Sequence, residues 1–107
     1  MKYKLSEEEI MLLYPLATPQ SILDEFGSER CMTVSAIYKI YARKGLPNPR
    51  DARKSLLKEI IVYAKINSPT TPSKEIEATA IAEIERKKLR TIDYIWSMIK
   101  EYEDTYA

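Results

Sequence analysis

An all-α fold is what this sequence predicts, on three observations. Only two glycines occur in 107 residues, too few for the turns of an all-β chain. Three Ser or Thr residues each stand as a helix cap before a stretch whose apolar positions recur at three and four residues. From Ser73 to Ala107 there is neither glycine nor proline. The expected architecture is an N-terminal three-helix helix-turn-helix unit over residues 1–46, followed by a basic fourth helix packed on it over 47–67. A linker at 68–72 then leads to a long C-terminal helical arm over 73–107.

Each element has its own signal. Ser6 before Glu7, Glu8 and Glu9 reads as a capping box, with Leu5 and Ile10 as the flanking apolar staple, and Pro15 stops this first helix after Tyr14. Thr18-Pro19 starts the second, because proline at the first helical position lacks an amide that would be unpaired anyway; Gly27 ends it. Ile22, Leu23 and Phe26 are its inward face. Thr33 caps the third, which runs to Lys44 with Gly45 as a left-handed stop. Its wheel has two faces: Val34, Ile37, Ile40 and Tyr41 on one side, Ser35, Lys39, Ala42 and Arg43 on the other. Asn48-Pro49 starts the fourth, with Ala52, Leu56, Leu57, Ile60, Ile61 and Ala64 at helical spacing. Arg50, Lys54 and Lys58 form a basic stripe beside them.

Two prolines among Asn67 to Pro72 interrupt the helix. The remaining arm is one helix, or two with a break at Thr91, and its apolar repeat slips near Lys87-Lys88, which favours a bend or mixed seam over a uniform coiled coil.

Composition excludes several classes. One cysteine, Cys31, allows no internal disulfide and reads as a buried small hydrophobe; without any histidine the usual zinc spacings cannot be assembled, so no metal is expected. There is no glycine-rich phosphate loop and no nucleophile motif, and carboxylates spaced by two, such as Glu75/Glu77, splay apart on a helix. The chain is therefore expected to be no enzyme, with no cofactor and no small-molecule substrate. The N-terminus has no apolar stretch of leader length and Ile10 to Tyr14 cannot span a bilayer, so a cytoplasmic, nucleoid-associated protein with no membrane partner is expected.

Net charge is only +1, but its distribution is uneven. Residues 1–29 carry two basic and six acidic side chains, residues 30–58 eight basic and one acidic, and residues 59–107 seven basic and nine acidic. A glycine-turned helix pair whose second member exposes basic residues is the arrangement that enters a major groove. Lys39 can donate to guanine O6/N7, Ser35 is short enough to allow close approach, and neighbouring Arg and Lys supply phosphate charge. Tyr38 lies between the two faces, where it packs on the first helix or stacks on sugar and base.

The residues also resemble a family. Leu5-Ser6-Glu7-Glu8-Glu9 with Leu13, and later Thr33-Val34-Ser35-Ala36-Ile37 with Tyr41, are similar to the opening and the recognition helix of Myb/SANT-like (homeodomain-like) helix-turn-helix proteins. Leu5 stands in place of that family's first aromatic, and the turn from Gly27 to Thr33 is long. The resemblance implies that Ser35 and Lys39 face bases, with Arg43, Lys44 and Arg30 at phosphate positions.

The expectation is a small sequence-specific binder of double-stranded DNA, a transcriptional regulator using Arg30, Thr33, Ser35, Lys39, Arg43, Lys44, Arg50, Arg53, Lys54 and Lys58. It is expected to homodimerise through residues 73–107; the alternative within one chain is that the arm folds back over Leu56, Ile60 and Trp96. The rival reading of function is a non-enzymatic interaction adaptor, or a DNA-packaging or partition factor, in which the helical arm drives assembly.

Overall fold

A computed structural model describes residues 2–106, so the last residue of the expected arm, Ala107, lies outside the described residues. Among them the chain is all-helical, with α1 (Glu7–Leu12), α2 (Pro19–Phe26), α3 (Val34–Arg43), α4 (Pro49–Asn67) and α5 (Ser73–Thr105). No helix among these residues is long and apolar enough to cross a membrane.

The caps form as their residue types require. Ser6 Oγ accepts from the Glu9 amide at 3.2 Å while Glu9 Oε1 accepts from the Ser6 amide at 2.8 Å, closing the box. Glu9 does more than cap. Buried at 5% exposure, it also accepts the Tyr3 hydroxyl at 2.6 and 2.7 Å, which holds the N-terminal strap against α1. Burial, then the hydrogen bond to Glu9, push the Tyr3 phenol up to about 12. Thr18 and Thr33 cap α2 and α3 through bonds of 3.2 Å from Ser21 and Ala36. At the other end of α3, the amides of Gly45 and Leu46 reach back to Ala42 and Tyr41 at 3.0 and 2.9 Å. That double return needs a left-handed residue, and Gly45 supplies it at φ 69°. α1 is shorter than expected, ending at Leu12, because the chain already leaves the helix through turns before Pro15.

Of the two possibilities for the arm, a single helix forms. Thr91 does not break it; its hydroxyl donates to the carbonyl of Lys87 one turn back at 2.8 Å. The slip in the apolar repeat has a geometric meaning. Buried Ile76, Ala80 and Ile84 recur every four residues, and buried Ile92, Ile95 and Ile99 follow. At about 100° per residue, a step of four advances the stripe by about 40°, so it winds around the helix instead of running straight. The first half of α5 packs on α4, where Ile76, Thr79 and Ala80 line a groove with Ile60 and Ala64. The second half enters the bundle: Ile92, Ile95 and Ile99 belong to one core with Leu5, Ile10, Leu13, Ile22, Phe26, Ile37, Ile40 and Tyr41.

Two expectations about organisation change as a result. The three-helix unit has no closed core of its own, because α5 supplies the fourth wall; Trp96 stacks on Phe26 with ring centroids 5.2 Å apart and donates to Glu25 at 3.1 Å. And α4 docks chiefly on α5, with its apolar positions only half-buried. The arm folds back within one chain, against Ile60 and Ala64 of α4 at one end and with Trp96 packed on the core at the other, whereas Leu56 lines a groove with Tyr14 and Leu46 instead of α5. Cys31 is buried in the shared core, where burial raises its thiol above the ordinary value of 9.0.

Two stability tests follow from this packing. Ile95 is fully buried at the α5 interface, so Ile95→Ala should cost about 2–5 kcal/mol and lower the denaturation midpoint of the whole chain in one transition. A separate early transition of α5, leaving α1 to α3 folded, would contradict the shared core. Tyr41 carries a buried hydroxyl that has no hydrogen-bond partner among the described residues. Tyr41→Phe should therefore leave the urea midpoint unchanged or raise stability by up to about 1 kcal/mol, whereas a loss would mean that the hydroxyl is satisfied in solution.

Candidate nucleic-acid interface

The outer side of α3 is where the helix wheel places it. Ile37, Ile40 and Tyr41 are buried, while Ser35, Lys39, Ala42 and Arg43 are exposed, with Lys44 exposed at the C-cap. Tyr38 sits on the rim at 42% exposure, edge-on to Tyr41 at 6.4 Å between centroids. Thr33 is exposed and its hydroxyl is occupied in capping. Arg43 is partly engaged: its guanidinium pairs with Glu7 at the start of α1, and that hydrogen bond holds the Glu7 carboxyl below its ordinary value. Both partners are well exposed, so the pair is weak and a competing phosphate can displace it.

Arg30 is not a surface cation. Its Nε and Nη2 each donate to Glu103 at 2.8 Å, and the guanidinium lies 5.3 Å from the centre of the Trp96 ring. The side chain expected at a phosphate position is a strut that ties the turn after α2 to the last turns of α5. The same carboxylate accepts the Tyr3 amide at 3.1 Å. These contacts hold Glu103 down at about 2, Arg30 being the larger cause and the Tyr3 amide the next.

The basic residues of α4 do not join the face of α3. The flank of α4 beside Tyr14, Leu46 and Pro47, where the chain leaves α3, carries Asp51, Ser55 and Glu59. Arg50, Arg53 and Lys54 lie instead along a different groove of about 480 Å³, whose opposite wall includes Lys88 of α5. Lys58 is exposed one turn further on, outside that lining. Of the residues expected at the interface, Ser35, Lys39, Arg43 and Lys44 thus stand exposed on α3 and its C-cap, and Arg50, Arg53 and Lys54 line the groove.

The second group gains partners that the sequence reading passed over. Beyond Leu16, which borders both, a shallower groove is lined by Lys87 and Arg90 with Leu12 and Tyr94. The run Arg86-Lys87-Lys88-Leu89-Arg90 was a visible signal, but charge summed over residues 59–107 hides it among nine acids. Among the described residues, no group of three or more Cys, Asp or Glu is placed to hold a metal ion.

No protein-family model, curated protein or solved structure matches this chain.

The Arg30–Glu103 strut makes stability depend on acid. Glu103 has a folded value depressed from 4.5 to about 2, so its contribution is complete above pH 4.5 and is lost as pH falls from there toward 2. Glu103→Gln should flatten the pH dependence of the thermal midpoint within that window; an unchanged slope would show that other carboxylates govern acid unfolding.

Proposed function

We propose that this chain is a small binder of double-stranded DNA, a transcriptional regulator that reads the major groove with α3. The observation that carries the reading is the outer face of α3, where small Ser35 and Ala42 flank the exposed ammonium of Lys39 on a helix anchored by its buried side. Among the described residues Lys39 is in no ion pair, so its charge is available to a base edge. Arg43 and Lys44 at the end of the helix are suited to phosphate. The likeness of Leu5 to Tyr41 to Myb/SANT-like proteins supports the same face.

A homodimer through residues 73–107 has less to stand on than the sequence suggested, because the isoleucines of that stripe are buried within one chain. The adaptor reading, which rests on the helical arm, draws its support from the exposed apolar residues Leu89 and Tyr94 of α5.

Selection of bound sequences from a random duplex pool, followed by titration at several salt concentrations, tests the proposal. Lys39→Ala should relax preference at one base step, a loss of about 1–3 kcal/mol of discrimination. Lys44→Ala should weaken all duplexes alike and reduce the salt slope by about 1. Absence of duplex binding by the parent protein at low salt would end the DNA reading, and selectivity untouched by Lys39→Ala would move the reading face elsewhere.

A further inference from the structure

The cations of α4 that the fold separates from α3 pose their own question. Arg50, Arg53 and Lys54 come from one helix and Lys88 from another, and they meet around a single groove whose lining, among the described residues, contains no carboxylate. Among the described residues three of the four have no ion pair, and Lys88 is held by Glu85 at 3.6 Å. Four cations gathered around one concavity repel one another, and an anion bound among them relieves that repulsion.

The floor is not built for a phosphate backbone. Leu16, Leu57 and Ile81 supply apolar surface between the charges, and Ile81 is left 42% exposed on a helix whose other isoleucines on this side are buried. A duplex backbone offers charge and sugar but nothing to cover such a floor. The volume of about 480 Å³ falls within the range of roughly 300–1,000 Å³ typical of small-ligand sites. Charge at the walls, apolar surface between them and this size are together complementary to one kind of occupant.

We propose that the groove between α4, α5 and the turn before α2 binds an amphiphilic anion, a carboxylate or phosphate head on an aliphatic chain. The head pairs with the guanidinium groups of Arg50 and Arg53 and the ammonium groups of Lys54 and Lys88; the chain covers Leu16, Leu57 and Ile81. Arginine is the residue suited to this, since its planar fork meets two oxygens of a carboxylate or phosphate at once. The site is independent of α3, and it stands or falls separately from DNA recognition.

Calorimetric titration of the full chain tests it, with sodium decanoate and decyl phosphate below their micelle-forming concentrations. Acetate serves as a head without a chain, decyltrimethylammonium as a chain with the opposite head, and phosphatidylglycerol vesicles as the same chemistry in a membrane. Both decyl anions should bind at one site per chain, and acetate and the decyl cation should not. Arg53→Gln should weaken decyl-anion binding roughly fivefold to tenfold. Ile81→Glu, at a half-exposed position that tolerates a polar residue, should abolish it with the circular dichroism spectrum and thermal midpoint retained. Binding to vesicles with none to the free anions would place the chemistry at a membrane surface and overturn a site for a free ligand. Equal binding of the decyl cation, or anion binding unaffected by both substitutions, would also overturn it. So would a lack of decyl-anion binding together with duplex DNA affinity that falls on Arg53→Gln, because the cations would then be phosphate contacts.

Discussion

Everything in this molecule depends on α5 being docked. Three short helices of 6, 8 and 10 residues cannot close a core alone, and the side chains that close it come from the far end of the chain, Ile92, Ile95 and Ile99. At about 1.5–3 kcal/mol for each fully buried isoleucine, these three contribute at most about 5–9 kcal/mol. That is comparable with the entire net stability of a domain. The polar contacts at the same end do a different job. Arg30, Glu103 and the Tyr3 amide fix where along its axis α5 sits, since a two-point guanidinium–carboxylate contact tolerates little sliding.

This docking also explains how the surfaces are divided. With α5 as the fourth wall, α3 buries only its inward side and keeps Ser35, Lys39 and Ala42 in solvent. Because α5 reaches beyond the bundle to pair with α4, it carries Lys88 up to Arg50, Arg53 and Lys54. One helix therefore creates two chemically distinct surfaces from a chain whose net charge is only +1.

Local features were legible in the sequence and long-range ones were not. Ser6, Thr18, Thr33 and Asn48 cap the helices they announce, because capping is decided within a few residues and has few chemical solutions. The two faces of α3 were legible for the same reason. The role of Arg30 was not, since nothing near it in sequence distinguishes a cation bound for phosphate from one that meets a carboxylate 73 residues away. Nor was the split of the basic residues. Arg50, Lys54 and Lys58 look continuous with Arg43 and Lys44 along the chain, but the turn through Leu46-Pro47-Asn48 sets a new helix axis, and α4 presents Asp51 and Glu59 on the side next to α3. The slip near Lys87-Lys88 was visible, yet its meaning required knowing that two different neighbours share α5.

That sharing imposes a rule of phase. α5 is gripped on one side of Lys87-Lys88 by α4 and on the other by the bundle, with Leu89 more than half exposed between the two grips. An unbroken helix keeps the angle between its two stripes fixed by the number of residues separating them. One residue more or fewer between Ile84 and Ile92 turns the second stripe by about 100° and points it away from the core, while a change of seven turns it by only about 20°. The length of the spacer is thus nearly quantised whatever side chains it carries, a constraint of gearing and not of composition.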